Sequence, residues 1–262
     1  MKKYLVIGNP IEHSLSPKLH NFWLNENNIK AIYDKEQLNE NNLESIIQEI
    51  KNGKIDGINV TIPFKKSILP FLDQLTPVAK ETQSVNTVFK KDNKVFGDNT
   101  DVEGFRCALK HINYNAKNKK IFILGAGGVV TSIIKALKRI GVSEIILSNR
   151  TKKKADVIKE IYPDLKIVEW GETPDFDMII NATSLGLKKT DEIKLNYKKL
   201  GPHKLFYDII YNPAETNFLI EAKKFGNQVE NGRMMFIYQA QLSFKIWHNI
   251  LPKINQNLLI ND

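Results

Sequence analysis

Two charged residues in the first half of the chain stand where predicted strands end. Lys65 closes residues 59–65, which overlap an apolar strand predicted at 57–61, and Asp101 closes the polar string 98–101. Ligand-binding side chains of α/β proteins gather at the carboxyl ends of parallel strands, so we expect Lys65 and Asp101 beside one crevice. An ammonium with a carboxylate partner can give a proton to a reacting oxygen or take one from a hydroxyl. The two residues therefore predict chemistry on a hydroxyl or a ketone.

Polar side chains near two other predicted strand ends could bind a polyhydroxylated ligand. They lie in the strings 84–87 and 98–101, which include Asn86, Asn99 and Asp101, and Ser16 is a further candidate. Taken singly, the two asparagines suit turns, Asp101 suits a helix N-cap, and Ser16 suits an N-cap before Pro17 at the first helical position. Their combination with Lys65 favours a ligand site over this structural alternative.

A glycine-rich turn opens the second half of the chain. A strand predicted at 121–124 runs directly into it, and a helix predicted at 131–140 follows. This strand, turn and helix order is the setting that a dinucleotide requires, because the amides at the helix start face the pyrophosphate. Val130 occupies the third motif position, where glycine or alanine is usual, and we expect Gly128 to supply the missing space. The predicted phosphate-binding residues are Gly125, Ala126, Gly127, Gly128 and Val129. A glycine turn without a ligand is the alternative.

The end of the next predicted strand favours NADP over NAD. An NAD enzyme places a carboxylate there to hold the ribose 2′-hydroxyl, whereas this chain has Asn149, Arg150 and Thr151, followed by Lys154. The guanidinium of Arg150 can stack and can bind a 2′-phosphate, and Lys154 adds positive charge. The alternative makes Thr151 a helix N-cap and Arg150 a surface cation.

Short β-rich segments alternate with helical patterns, which indicates an α/β fold. Asp92-Asn93 predicts a hairpin and one antiparallel strand near Val95. The strands are predicted at 4–7, 29–33, 57–61, 85–89 and 94–97, and then, after a polar stretch at 113–120, at 121–124, 144–147, 166–169, 178–180, 205–209 and 228–229.

The layout predicts two three-layer α/β/α domains. Residues 1–101 form a mostly parallel substrate-binding and catalytic domain, and residues 102–232 form a Rossmann-type NADP-binding domain. Residues 233–262 form a C-terminal helical segment, with a helix near 234–250 that returns to the first domain. We expect a cleft between the domains to hold both ligands.

Composition is typical of a globular protein, with 42% hydrophobic and 26% charged residues. The N-terminal apolar run is too short for a signal peptide or a membrane span, so we expect a cytoplasmic protein that binds no membrane. The single cysteine, Cys107, excludes an intramolecular disulfide and a cysteine-based zinc site, and no metal is expected. The net charge of +9 comes from scattered lysines, which favours anionic small molecules over nucleic acid.

Strings of residues along the whole chain resemble the shikimate dehydrogenase family. They are Gly8-Asn9-Pro10, Ser14-Leu15-Ser16-Pro17, Asn59-Val60-Thr61-Ile62-Pro63-Phe64-Lys65, Val85-Asn86-Thr87, Asn99-Thr100-Asp101-Val102-Glu103-Gly104, Gly125-Ala126-Gly127-Gly128, Asn149-Arg150-Thr151, Asn181-Ala182-Thr183-Ser184, Tyr207-Asp208-Ile209-Ile210-Tyr211, and Gly232, Met235, Gln239-Ala240.

The resemblance implies NADPH-linked reduction of 3-dehydroshikimate to shikimate, a step of aromatic amino-acid biosynthesis, with Lys65 and Asp101 as the catalytic pair. Besides that pair, the implied substrate contacts are Ser14, Ser16, Asn59, Thr61, Asn86, Tyr211 and Gln239. Beyond the glycine turn and residues 149–154, the implied cofactor contacts are Thr183, Ile209, Gly232 and Met235. A monomer or a homodimer is expected.

Three alternatives stay open at this point. The chain could be a dehydrogenase of mixed quinate and shikimate specificity, possibly with NAD, although Arg150 argues against NAD. It could be a non-catalytic NADP-binding protein on the same fold, against which the intact pair of Lys65 and Asp101 argues. A basic nucleic-acid binder is the most remote alternative.

Overall fold

A computed structural model describes residues 1–254. Its strands are β1 Lys2–Gly8, β2 Ala31–Gln37, β3 Gly57–Val60, β4 Gln74–Leu75, β5 Thr87–Lys91, β6 Lys94–Asp98, β7 Lys120–Leu124, β8 Glu144–Ser148, β9 Lys166–Val168, β10 Met178–Asn181, β11 Leu205–Asp208 and β12 Gln228–Glu230. Its α-helices are α1 Ser16–Glu26, α2 Leu43–Lys51, α3 Pro77–Thr82, α4 Asp101–His111, α5 Val130–Ile140, α6 Lys152–Ile161, α7 Tyr197–Leu200, α8 Asn217–Lys224 and α9 Arg233–His248. Short 3₁₀ turns cover Glu40–Asn42 and Leu69–Phe71.

The chain divides into two compact units. The first comprises Met1–Gly104 and the described residues from Ile237 onward, and the second comprises Phe105–Phe236. Each unit contains one six-stranded sheet, so the predicted two-sheet α/β architecture is confirmed.

The first sheet is mostly parallel and has the strand order β2-β1-β3-β5-β6-β4. The hairpin predicted at Asp92-Asn93 joins β5 to β6, and both turn residues have the positive φ of a type I′ turn. The predicted antiparallel strand near Val95 is confirmed, because β6 pairs antiparallel with β5. A hairpin requires only that its two strands oppose each other, and here β5 pairs antiparallel with β3, so β5 is the reversed strand and β6 runs parallel to β4.

Helices cover both faces of the first sheet. Successive strand residues point to opposite faces, and β1 buries all of residues 4–7. The apolar face of α2 packs into the cluster that contains Leu5 and Ile7. On the other face, the ring of Tyr4 lies 4.9 Å from that of Trp247 in α9. The predicted return of the C-terminal helix to the first domain is therefore confirmed.

The second sheet is parallel throughout and has the order β12-β11-β10-β7-β8-β9. All residues of β10 and β11 are buried, as in a sheet that is covered on both faces. Phe218, Leu219 and Ala222 of α8 pack on one face with Phe206, while Phe105 of α4 meets the ring of Tyr207, which points to the other face. This is the predicted Rossmann-type layout.

Within residues 1–254, no helix has the length and apolar character needed to cross a membrane. The same part of the chain contains no group of three or more His, Cys, Asp or Glu residues placed to hold a metal ion.

Candidate active site

Lys65 and Asp101 form a close ion pair in the first unit. The Nζ atom of Lys65 lies 2.6 Å from Oδ2 of Asp101, and their side chains are only 12% and 5% exposed. Charges removed from water in this way must be paired, because a lone buried charge is strongly destabilising. The predicted pair is thus brought together across 36 residues of sequence.

The start of α4 leaves the Asp101 carboxylate available to Lys65. Asp101 is the first residue of the helix, and Oδ1 of Asn99 accepts the backbone N–H groups of Asp101 and Val102 at 3.1 and 3.3 Å. Asn99 therefore satisfies free amides of the first turn, a task that the N-cap alternative gave to Asp101. Its own amide nitrogen donates to the backbone oxygen of Ser84 at 2.9 Å, which holds it in place.

Asn86 links the ion pair to the rest of the unit. Its Nδ2 donates to Oδ1 of Asp101 at 3.0 Å, to Oγ1 of Thr100 at 2.9 Å and to Oε1 of Gln239 at 3.2 Å. Its Oδ1 accepts the backbone N–H of Thr100 at 2.8 Å. Asn86 is 2% exposed, so these contacts fix its amide beside Asp101. Asn86 and Gln239, both predicted substrate contacts, therefore lie next to the ion pair of Lys65 and Asp101.

Asn59 is the centre of a second set of buried hydrogen bonds. Its Oδ1 accepts the hydroxyl of Tyr33 at 2.7 Å, and its Nδ2 donates to Oγ of Ser243 at 3.0 Å and to Oγ1 of Thr87 at 3.2 Å. Its amide is engaged on both sides by groups of this unit, and its predicted role as a substrate contact stays a prediction.

Burial raises the pKa of Tyr33 well above its ordinary value, while a hydrogen bond with the side chain of Ser16 acts in the opposite direction. The Tyr33 hydroxyl thus stays protonated and connects Ser16 at the start of α1 with Asn59 in β3. Ser16 itself is buried, and its backbone N–H donates to Oγ of Ser14 at 3.3 Å. The two predicted serines therefore lie together.

The glycine turn in the second unit fits a dinucleotide. Gly125 has φ +109°, and a Cβ placed there would lie 2.5 Å from the backbone oxygen of Ala182, so only glycine is tolerated. A Cβ on Gly127 would find its nearest neighbour at 3.9 Å, so the backbone is open to the close approach of a phosphate. The helix α5 begins at Val130, whose side chain is fully buried.

The other predicted cofactor residues follow the carboxyl ends of neighbouring strands. Asn149 follows β8, Thr183 follows β10, Ile209 follows β11 and Gly232 follows β12. They therefore lie along the same edge of the sheet as the glycine turn. At Gly232 a Cβ would lie 2.0 Å from the backbone oxygen of Ile209, so the chain passes close to the end of β11 there.

Both units match models of known protein families. A model described as "Shikimate dehydrogenase substrate binding domain" matches residues 6–88, and one described as "Shikimate / quinate 5-dehydrogenase" matches residues 106–209. The shikimate dehydrogenase (NADP(+)) of Pelagibacter ubique is 57% identical over 258 residues, which are 98% of this chain and 97% of that protein. The chain belongs to the shikimate dehydrogenase family.

Solved structures of shikimate dehydrogenases have the same fold. The enzyme from Aquifex aeolicus superposes with a TM-score of 0.90 at 36% identity and covers 98% of this chain and 96% of its own. The shikimate 5-dehydrogenase from Thermus thermophilus, solved in complex with NADP(H) and shikimate, has a TM-score of 0.88 at 32% identity, with 97% and 95% coverage. As a shikimate dehydrogenase, the chain is an NADP-dependent oxidoreductase.

The remaining predicted site residues are placed as follows. Thr61 directly follows β3 and is half-buried, and Tyr211 stacks on Phe236 with ring centroids 4.6 Å apart. Three predicted cofactor residues after β8 are exposed to solvent, so a phosphate could reach them: Arg150, Thr151 and Lys154. Met235 is buried in the first turn of α9.

A buried carboxylate stabilises the edge of the second sheet that carries the predicted cofactor residues. Burial raises the pKa of Asp208, and hydrogen bonds from the N–H of Ile210, from Thr216 and from Asn181 act against that rise. Oδ1 of Asn181 in turn accepts the hydroxyl of Thr183 at 2.7 Å. Asp208 and Asn181 thereby hold the loops that carry Thr183 and Ile209, and the sequence analysis did not predict that role.

The sequence did not predict Ser243 and Tyr33 as parts of this network, and it indicated Thr87 and Thr100 only as members of polar strings. Ser243 joins partners as far as 184 residues away, and buried hydroxyls on strands and helices have no spacing signature. One weak signal existed: Ser243 follows Gln239 by four residues and so lies on the same face of α9.

Proposed function

We propose that the chain catalyses the reversible, NADPH-linked reduction of 3-dehydroshikimate to shikimate in aromatic amino-acid (chorismate) biosynthesis. The observation that carries the proposal is the buried ion pair of Lys65 and Asp101, at 2.6 Å, in a member of this family. NADPH, when bound, supplies the hydride for the ketone carbon.

Lys65 is the proposed acid and base of the reaction. Its ammonium donates a proton from Nζ to the ketone oxygen as negative charge develops there, and in the reverse direction its neutral amine accepts the proton of the hydroxyl. Asp101 holds the ammonium by Oδ2 while Asn86 donates to Oδ1, so both carboxylate oxygens are oriented. The geometry therefore presents a fixed proton donor to the substrate.

Hydroxyl and amide groups of the first unit recognise the substrate. We assign its carboxylate to Ser14 and Ser16, and its ring hydroxyls to Asn86, Asp101 and Gln239. The assignment is supported by the hydrogen bonds that gather the last three around Lys65. An analogue without one hydroxyl leaves a buried partner unsatisfied, at a cost of about 1–3 kcal/mol. We also assign Asn59, Thr61 and Tyr211 to the substrate.

The cofactor is assigned to the second unit. The glycine turn at 125–129 would hold the pyrophosphate at the start of α5, where the helix dipole favours negative charge. Arg150 and Lys154, with Asn149 and Thr151, would hold the 2′-phosphate. Thr183, Ile209, Gly232 and Met235 complete the assigned contacts.

The decisive experiment follows NADPH formation from shikimate and NADP⁺ with wild type and Lys65→Ala. The variant should lose turnover by about 100-fold or more, the scale of a positioned acid or base. Lys66→Ala is the matched control, because Lys66 is the adjacent lysine and is exposed. It should retain wild-type turnover.

Removal of Lys65 leaves the Asp101 carboxylate without its partner, so loss of stability must be separated from loss of chemistry. NADP⁺ affinity measured by calorimetry should be the same for Lys65→Ala and wild type, since the assigned cofactor residues are unchanged. Full activity of Lys65→Ala would remove Lys65 from the mechanism. A wild-type protein inactive on shikimate would overturn the proposed function.

We further propose that the protein works in the cytoplasm as a monomer or a homodimer. Size-exclusion chromatography with light scattering decides between the two oligomeric states.

A further inference from the structure

We propose that Thr87 and Ser243 are positioning residues for the reaction. Their hydroxyls fix Asn86, which orients Asp101 and through it Lys65. The inference rests on the proposed function, in which Lys65 and Asp101 act on the substrate. Neither Thr87 nor Ser243 carries a charge, and each acts through Asn86.

Three hydroxyls form a buried cluster behind the ion pair. Oγ of Ser243 lies 2.7 Å from Oγ1 of Thr87 and 3.3 Å from Oγ1 of Thr100. Thr87 and Ser243 are 0% exposed and Thr100 is 4% exposed. The cluster joins β5, the start of α4 and the middle of α9, the three parts of the first unit that carry or adjoin Asn86, Asp101 and Gln239.

A chain of hydrogen bonds connects the hydroxyl cluster with the carboxylate. Nδ2 of Asn59 donates to Ser243 at 3.0 Å, and Thr87 donates to Oδ1 of Asn86 at 3.1 Å. The single hydroxyl proton of Ser243 can go either to Oγ1 of Thr87 at 2.7 Å or to the backbone oxygen of Gln239 at 3.1 Å. In the shorter of the two contacts Ser243 donates to Thr87, which leaves the Thr87 proton for Asn86. Nδ2 of Asn86 then donates to Oδ1 of Asp101 at 3.0 Å. The relay therefore passes from Asn59 through Ser243, Thr87 and Asn86 to Asp101.

Such a relay has two consequences for the ion pair. Each bond polarises the next inside a poorly solvated interior, so the donor that reaches Asp101 is strengthened. The Asn86 amide is also held in one of its two possible flips, the one in which nitrogen faces the carboxylate. Without the Thr87 hydroxyl, the hydrogen bonds to Oδ1 of Asn86 from residues 1–254 are those of Thr100 alone. The orientation of Asp101 and Lys65 is then less sharply defined.

The alternative is a polar cluster that contributes to stability alone. In that case substitutions would change unfolding but leave kcat unaltered. A positioning role lowers kcat with little effect on KM, because the chemical step depends on orientation more steeply than binding does. The two explanations therefore differ in a kinetic measurement.

The first test compares Thr87→Val, which removes the hydroxyl and keeps the side-chain shape, with Thr87→Ser, which keeps the hydroxyl. Thr87→Val should lower kcat for 3-dehydroshikimate with NADPH by roughly 10-fold, while KM for either substrate changes less than about 3-fold. Thr87→Ser should retain kcat within about 2-fold of wild type. Tyr207→Phe is the control for loss of a buried hydroxyl: Tyr207 is 0% exposed and its hydroxyl has no hydrogen-bond partner among the described residues. It should leave kcat unchanged.

The second test is a double-mutant cycle with Ser243→Ala. If the two hydroxyls act in one relay, Ser243→Ala should lower kcat in the same way, and the double variant should be no slower than the slower single variant. Urea unfolding of each variant separates these effects from a loss of folded protein.

Either of two results would overturn the inference: equal kcat values for Thr87→Val and Thr87→Ser, or kcat effects that multiply in the double variant. A wild type that fails to reduce 3-dehydroshikimate overturns the proposed function and this inference with it. If the wild type is active and Thr87→Val has the same kcat as Thr87→Ser, the inference is overturned but the proposed function stands.

Discussion

His20 is a histidine that the first unit keeps uncharged. Its ring is 1% exposed and stacks on Tyr33 at 4.2 Å, with Trp23 edge-on at 5.6 Å. Burial, and secondarily the nearby His248, lower the pKa of His20 from 6.5 to about 3. Because Tyr33 also bonds Asn59, the same aromatic stack that excludes water from His20 supports the polar network of the site.

The buried His20 predicts that acid destabilises the first unit. The unfolded chain takes up a proton as pH falls through 6.5, whereas folded His20 does so only near pH 3, so stability declines across that window. At pH 5 the contribution amounts to about 2 kcal/mol. His20→Phe should keep the ring packing and reduce the stability lost between pH 7.5 and pH 5 by about that amount.

Urea unfolding followed by tryptophan fluorescence measures this loss, since Trp23 and Trp247 both adjoin His20. Burial also lowers the pKa of His248, to about 4, so the variant retains part of the pH dependence. Identical pH dependence in wild type and His20→Phe would contradict the prediction.

The guanidinium of Arg150 predicts a preference for NADP⁺ over NAD⁺. Arg150→Gln should weaken NADP⁺ binding by roughly 10- to 100-fold, the value of one or two charge-assisted hydrogen bonds, and should leave NAD⁺ binding unchanged. Lys159→Gln, in the last turn of α6, removes the same charge away from the proposed phosphate site and is the control. Calorimetric titration with each nucleotide measures both affinities. Equal losses for NADP⁺ and NAD⁺ would show that Arg150 does not contact the 2′-phosphate.

Local chemistry explains which site residues could be predicted. Lys65 and Asp101 follow strand ends, and the edge of a parallel sheet brings such positions together whatever their separation in sequence. The contact between Thr87 and Ser243 requires a particular packing of α9 on β5, and residue types alone do not predict that packing. Asn59 was predicted as a ligand group, while its amide also bonds Tyr33 and Ser243, because buried amides must be satisfied in the folded chain before a ligand arrives.

At the scale of elements, the central strands were predictable because their continuous apolar runs are typical of sheets buried on both faces. The two-residue strand β4 and the short helix α3 were not predicted, since segments of 2 and 6 residues have too few positions to show a period. The hairpin was predictable from Asp92-Asn93, but its orientation depends on β3, a strand that local turn chemistry does not involve.

The close crossing of α4 and α9 can be tested at Gly104. A Cβ there would lie 2.9 Å from both the backbone nitrogen and the Cβ of Gln239. Gly→Ala in a helix ordinarily stabilises by about 1 kcal/mol. Here the added methyl must push α9 away, so Gly104→Ala should instead destabilise by about 1–3 kcal/mol and raise KM for shikimate.

The sign of the change in the free energy of unfolding tests whether α4 and α9 cross this closely. Urea unfolding gives the stability, and steady-state kinetics give KM. A stabilised Gly104→Ala variant with unchanged KM would mean that the two helices do not meet so closely at Gln239.

At the scale of the whole molecule, the proposed substrate residues and the proposed cofactor residues lie mainly in different units. Lys65, Asp101, Asn86 and Gln239 belong to the first unit, although Gln239 comes from the C-terminal helix, and the glycine turn belongs to the second. Both ligands are anionic, and the net charge of +9 favours their approach. Because α9 follows the second unit in sequence, Gln239 can join Asn86 and Asp101 only after the chain through the second unit has been synthesised.

This division predicts separate ligand footprints in hydrogen exchange. A ligand lowers local opening most where it adds contacts, so NADP⁺ alone should slow exchange most at residues 124–131 and 148–154. Shikimate alone should slow it most at residues 14–16, 59–65, 84–104 and 237–243. Arg150→Gln, at the same NADP⁺ concentration, should lose protection at 148–154 while shikimate protection persists, since only the cofactor contact is removed. Protection of the glycine turn by shikimate alone, with none in the first unit, would reverse the assignment of the ligands to the units and would contradict the proposed roles of Lys65 and Asp101.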